Sequence, residues 1–136
     1  MNLFVVFKHP DGGLELVTPP LDGMILPGVT RDSVLALARA PTGSIPNLPS
    51  NLAVSERPVT MAEVKAASTE GRLVELFGAG TAAVISPVDR IGYMGEDVLI
   101  PTGKDGMGPV SRPIWEELVG RQTGRIKSDW SVLVSE

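Results

Sequence analysis

Two short stretches of this sequence combine glycine, a hydroxyl residue and backbone N–H groups free of a helical partner, which is the chemistry of holding an anion. The first is Pro27-Gly28-Val29-Thr30-Arg31, read at the start of a helix. First-turn amides have no intrahelical acceptor and sit at the positive end of the helix dipole, so a phosphate can bind there without a basic side chain. A capped helix following a turn satisfies the same local sequence. The second is Gly78-Ala79-Gly80-Thr81-Ala82. Two glycines can take positive φ and aim successive amides into one concavity, with the Thr81 hydroxyl as a further donor. A glycine bulge where strands cross fits these residues too. Gly103-Lys104-Asp105-Gly106-Met107-Gly108 looks superficially like a phosphate loop. It lacks the Gly-Lys-Ser/Thr ending and a helix directly after it, so a solvated loop is expected.

Other reactive groups are sparse. Lys8 sits at a hairpin, Lys65 on a helix among polar neighbours, Lys104 in a loop and Lys127 near the C-terminus. None is expected in an apolar pocket that would depress its pKa for imine chemistry, so all four are expected to be solvated. His9, the single histidine, precedes Pro10 in a turn and reads as surface. Asp22 and Glu75 can be drawn as acid–base partners, but solvation or local hydrogen bonding accounts for them equally. Cysteine is absent, which excludes disulfides and thiolate metal sites.

The elements that must position these groups follow from pattern. Leu3 to Lys8 and Leu14 to Thr18 flank an Asp-Gly turn and predict a hairpin. With Thr30 as N-cap and Val34, Leu35, Leu37 and Ala38 on one face, a helix is expected over about 31–39. Residues 40–51, with three prolines, read as a surface loop. Leu52 to Arg57 reads as a strand, and Thr60-Met61-Ala62-Glu63 as a capping box opening a helix stopped at Gly71. Leu73 to Phe77 and Ala82 to Ile85 are expected as buried strands meeting at the glycine corner. Val88 to Tyr93 and Val98 to Ile100 suggest a hairpin turning at Gly95-Glu96. Ile114, Trp115, Leu118 and Val119 have helical spacing, and Trp130 to Val134 alternates like a last strand. The sum is a mixed α/β fold with more strand than helix.

Composition sets the outer bounds. The 136 residues suit one domain or one large piece of a two-domain protein. Hydrophobic residues at 43% and charged residues at 21% are ordinary for a globular chain. A net charge of −4 without a basic run argues against nucleic acid and anionic membrane as partners. No segment has the length of a membrane span or the order of a signal peptide. The 15 Gly and 12 Pro are scattered without a repeat period, implying short elements and tight corners.

Taken in order, the strings TPPLDGMILPGVTRDSVLALAR (18–39), VSERPVTMAEV (54–64), LVELFGAGTAAVISPVDRIGY (73–93) and KSDWSVLV (127–134) resemble the branched-chain amino-acid aminotransferases. These are pyridoxal 5′-phosphate enzymes of fold type IV, and the loop at 40–51 resembles fungal members. The resemblance spans nearly the whole chain. It implies the C-terminal, cofactor-binding large domain of that fold, short at its N-terminal side. It also implies amino transfer between leucine, isoleucine or valine and 2-oxoglutarate. In the family the LPGVTR turn brings the amides of Val29 and Thr30 to the cofactor phosphate, and Leu26 packs on the pyridine ring. The GTA turn maps to Thr81 and Ala82, whose amides would hold the substrate carboxylate while the Thr81 hydroxyl helps bind phosphate.

The same resemblance implies what the 136 residues do not contain. The family's covalent lysine and the glutamate that charges the pyridine nitrogen belong upstream, and Met1-Asn2 matches only the tail of the string following that glutamate. No catalytic residue is therefore assigned, and the chain alone is expected not to turn over. An alternative role is a pseudo-subunit that associates with a full-length aminotransferase, the family being homodimeric. The branches acting on D-amino acids or aminodeoxychorismate fit less well than TPPLDGMILPG and VSERPVTM do the branched-chain branch. Ala83 and Ser86 stand where some animal members carry a Cys-x-x-Cys switch, so thiol regulation is excluded. Arg121-Gln122-Thr123-Gly124 replaces the family's Ile-Gln-Tyr-Gly. Family members are cytoplasmic or mitochondrial, which leaves the compartment of this chain open.

Overall fold

The first strand, β1 (Asn2–Lys8), forms the middle of a five-stranded sheet because it is apolar on both faces. Phe4 and Val6 enter one hydrophobic cluster and Val5 and Phe7 the other, as period-two alternation requires. The computed structural model describes residues 1–103 and 105–135. Lys104 lies outside the described residues, and with it part of the expected 103–108 loop.

The strands run β1, β2 (Leu14–Thr18), β3 (Leu52–Glu56), β4 (Leu73–Gly80) and β5 (Val84–Pro87), with spatial order β3-β2-β1-β4-β5. β1 pairs antiparallel with β2 across the expected hairpin and with β4 on its other side. β2 and β3 are parallel, so a crossover must join them, and α1 (Val29–Ala38) supplies it. On one face α1 and α3 (Ser111–Gln122) cover Phe4, Leu16 and Phe77. Phe4 and Phe77 are direct register partners whose rings stack at 5.2 Å. On the other face α2 (Met61–Thr69) seats Val64 and Ala67 over Val5, Phe7 and Leu76. A two-stranded ribbon, β6 (Arg90–Tyr93) and β7 (Glu96–Leu99), closes that side with Val98. The mixed α/β class and the excess of strand over helix are as expected.

Several local expectations change. α1 begins at Val29, with Gly28 as N-cap, so Thr30 lies inside the helix instead of capping it. The capping box at Thr60 is present: its side chain accepts from the Glu63 amide, and Gly71 follows at φ 71°. The ribbon turns at Met94-Gly95, both with positive φ, one residue before the expected turn. The loop 40–51 is on the surface, but it buries Ile45 against the α1 cluster. Trp130 to Val134 is not a strand. Its alternation has no ladder partner. Trp130 instead stacks with the Arg121 guanidinium at 4.6 Å, and the Ser131 hydroxyl donates to the Arg121 carbonyl at 2.6 Å. Among the described residues no helix is long and apolar enough to cross a membrane.

Candidate functional site

The two anion-binding stretches, some fifty residues apart in sequence, come together. A cleft of about 420 Å³ is lined on one side by Met24 to Leu26 and Gly28 to Thr30. Its other side is Met1, Asn2 and Ala79 to Thr81. Sheet order explains the meeting, because β1 and β4 are neighbours and α1 follows directly from the segment beside the start of β1.

The first corner is an open helix start. Gly28 has no side chain to cap the helix, and among the described residues nothing accepts from the amides of Val29, Thr30 or Arg31. The first backbone bond of the helix is Asp32 N–H to the Gly28 carbonyl at 3.0 Å. Among the described residues no Asp, Glu, Lys, Arg or His side chain lines the cleft, and the lining they provide can attract an anion through backbone amides and the helix dipole. Asp32 faces the neighbouring groove, beside Ser33 and Trp130.

The second corner is built differently from the sequence expectation. Gly78 and Gly80 do not take positive φ. They are extended residues of β4, paired with Ser86 and Val84. Their lack of a side chain makes room for Met1, whose side-chain atoms would lie 3.1 Å from a Cβ at either position. The turn is Thr81-Ala82-Ala83, and the positive φ falls on Val84, at 58°. A β-branched residue is strained there, and the short turn imposes it. Among the described residues the Ala82 amide donates to no protein acceptor. Thr81 lines the cleft, while Ala82 is the next, exposed residue of the turn and is not part of the lining. Leu26, Val29, Thr30 and Thr81 are thus brought together, with Ala82 at the margin.

Two residues that shape this site were not singled out in the sequence. The Asn2 amide group donates to the Leu26 carbonyl at 2.9 Å and is nearly buried. Arg31, 3% exposed, donates to the Pro19 carbonyl at 3.0 Å and to Glu56 at 2.6 Å. It pins the start of α1 to the ends of β2 and β3, and among the described residues its Nε has no partner. Arg31, with Arg39, holds the Glu56 carboxyl below its usual range. A basic residue in a helix's first turn opposes the dipole, and that misfit was the available signal of a tertiary role.

The remaining expectations divide. Lys8 and Lys127 are exposed, and Lys65 pairs with Glu96 at 2.7 Å, which raises its pKa. Among the described residues no lysine lines the cleft. His9 is partly exposed yet not free, with Nε2 at 3.1 Å from Glu15. Asp22 makes a local turn by accepting from the Met24 amide at 3.0 Å. Glu75 is buried and away from the cleft. Its carboxylate accepts from the amides of Gly108, Val110 and Ser111 and from the Ser111 hydroxyl, capping α3 from the sheet.

The rim of the cleft is apolar and open. Met1, Met24, Leu26 and Val29 are each at least three-quarters exposed, an unusual concentration for the surface of a lone domain.

Comparison with known proteins bears on this arrangement. The family described as amino-transferase class IV matches residues 1–91. The chain is 41% identical over 135 residues to a branched-chain-amino-acid aminotransferase of Monosiga brevicollis, covering 99% of this chain and 33% of that protein. It is 46% identical over 134 residues to the mitochondrial branched-chain-amino-acid aminotransferase of Rattus norvegicus, covering 98% and 32%. It spans about a third of the length of these relatives. Among solved structures it is similar to the branched-chain amino acid aminotransferase of Thermobaculum terrenum in its PLP-form. That match has a TM-score of 0.56 at 28% identity, covering 89% of this chain and 33% of that one.

Proposed function

The chain belongs to the amino-transferase class IV family, and we propose that its cleft is the phosphate- and carboxylate-holding half of a pyridoxal 5′-phosphate site in a branched-chain amino-acid aminotransferase. The observation that carries this reading is the convergence of the uncapped α1 start and the Thr81 turn in one cleft. The residues present fit the group. Unpartnered amides at Val29 and Thr30 suit a phosphate, and the exposed Leu26 side chain suits the face of an aromatic ring. The Thr81 hydroxyl offers another donor to the phosphate. The amides of Thr81 and Ala82 offer the same to the carboxylate of leucine, isoleucine, valine or 2-oxoglutarate.

When bound, pyridoxal phosphate supplies the electron sink for amino-group exchange. The residues of this chain bind and orient. Among the described residues that line the cleft there is no lysine to move the reacting proton. The 136 residues are then the cofactor-binding C-terminal domain of such an enzyme and do not turn over alone. The exposed Met1, Met24, Leu26 and Val29 favour association with further aminotransferase structure, in a dimer or as a partner of a full-length subunit. Sedimentation that finds only monomer, with or without a full-length aminotransferase added, would remove that part of the reading.

Val29→Pro tests the phosphate assignment. Val29 is the first helical residue, where proline is favoured, and Gly28 before it, at φ −64° and ψ 139°, already has a conformation compatible with a following proline. The substitution removes one donor and leaves the helix intact. Titration with pyridoxal phosphate, followed by absorbance, is expected to show binding weakened by about tenfold at unchanged melting temperature. Equal affinity in both proteins would refute the assignment.

A further inference from the structure

We infer that Asn2 is a positioning residue for the anion-binding corner, seated against Gly28 like a peg in a socket; this deepens the proposed function and rests on it. Gly28 at φ −64° and ψ 139° has a backbone conformation open to any residue, so conformational freedom does not explain a glycine there. Space does. A Cβ at Gly28 would lie 2.3 Å from Asn2 Oδ1, far inside contact distance. The other end of the same side chain, Nδ2, donates to the Leu26 carbonyl at 2.9 Å. That carbonyl also accepts from the Gly28 amide at 2.9 Å, closing a tight turn over Pro27. The Nδ2 end of Asn2 thus ties the turn that delivers the chain into α1, while its Oδ1 end fills the space beside Gly28.

The loop has little else to hold it. From Leu21 to Pro27 every residue but Ile25 is exposed. Its other hydrogen bonds are local, Asp22 N–H to the Pro20 carbonyl and Met24 N–H to Asp22. Among the described residues the Asn2–Leu26 bond is the one hydrogen bond from this loop to a distant segment. Asn2 itself belongs to β1, where it pairs with Ala79 of β4, and further along β1 is paired on both sides from Val5 to Phe7. The direction of the Val29 and Thr30 amides is thus referred to the most constrained strand of the sheet. Loss of the peg lets the turn over Pro27 drift and disperses the two amides, which weakens the grip on a phosphate but not on an uncharged ring.

The test compares pyridoxal phosphate with pyridoxal, which lacks the phosphate, on the full chain. Asn2→Ala is expected to weaken pyridoxal phosphate binding about tenfold while leaving pyridoxal binding as it was. Gly28→Ala is expected to do the same in the native background, and to add no further loss in the Asn2→Ala background, where its Cβ has room. Should Asn2→Ala be too unstable to measure, Asn2→Asp replaces the donor with an acceptor facing the Leu26 carbonyl and is expected to give the same phosphate-specific loss. A merely structural role would lower the melting temperature without changing the ratio of the two affinities. Binding by the native chain with an unchanged ratio in the variants overturns the inference alone, as does equal harm from Gly28→Ala in both backgrounds. Absence of pyridoxal phosphate binding by the native chain overturns the functional reading, and the inference with it.

Discussion

Replacing Glu75 by glutamine is expected to destabilise this protein nearly as much as removing the side chain. Glu75 is 3% exposed. One oxygen accepts from the Gly108 amide at 2.7 Å and from the Ser111 hydroxyl. The other accepts from the amides of Val110, at 2.7 Å, and Ser111, at 3.1 Å. Gly108 is a glycine for the same reason, since a Cβ there would lie 2.4 Å from the carboxyl carbon. The three backbone partners are donors, so an amide NH₂ in place of either oxygen points donor at donor, and only the Ser111 hydroxyl, which already accepts from the Gly108 amide at 3.0 Å, can turn to receive it. At least one buried N–H is then left unpaired, at about 1–3 kcal/mol, and a charge-assisted acceptor is lost at a similar scale. With overlap between the two terms, a loss of about 3 kcal/mol is expected. For a chain of 136 residues that is roughly 10 °C in melting temperature. Thermal denaturation followed by circular dichroism measures it, and amide exchange at Val110 and Ser111 should rise more than in β1. A melting temperature within about 1 °C of the native chain would refute the capping role.

Two further predictions concern stability away from the cleft. The Arg57 guanidinium, at 3.1 Å, with Ser55 and His9 assisting against burial, lowers the Glu15 carboxyl pKa to about 2. The folded value lies below the ordinary 4.5, so its stabilisation is present above about pH 4.5 and is lost as pH falls towards 2. Discounted for the partly exposed Arg57, the contribution is about 2 kcal/mol. The stability gap between native chain and Glu15→Gln should therefore narrow in urea melts from pH 6 down to pH 2.5; a constant gap would contradict it. Met94, exposed and at φ 50° in the Met94-Gly95 turn, is expected to tolerate Asn with a gain of about 0.5–1 kcal/mol, readable as a higher melting temperature. A loss instead would show that the Met94 side chain contributes more than its turn geometry costs.

Much of the site was legible in the sequence because its chemistry is local. An anion-binding helix start within residues 27–31 follows from the turn and the helix pattern, whereas the resemblance selected the amides of Val29 and Thr30, the pattern having placed Thr30 as N-cap. The elements with strong period, β1, β2, α1 and α2, stand within a residue or two of expectation for the same reason. Other features depend on groups far apart in sequence. The role of Gly28 lies in Asn2, that of Gly80 in Met1, and that of Gly108 in Glu75. Sequence pattern read Gly28 and Gly108 as turn or loop residues and suggested positive φ for Gly80, whereas in each the space is taken by another side chain. The supposed last strand failed similarly. Alternation in Trp130 to Val134 is a property of the segment, but a strand also requires a neighbour with a free edge. Ile45 shows the converse, one apolar residue in a proline-rich loop that finds the core without any period.

The order of the large sheet has a consequence for how copies of this chain meet. Its two outer strands, β3 and β5, are five and four residues long. β3 runs into Glu56-Arg57-Pro58, and β5 ends at Pro87, which has no N–H to offer. Short edges closed by charge and proline are poor templates for adding another strand, so growth by sheet extension, the route to fibrils, is blocked at both sides. What the described surface offers a partner is then side chains and not strand edges, and its exposed apolar ones include those around the cleft and along Trp130 to Val134.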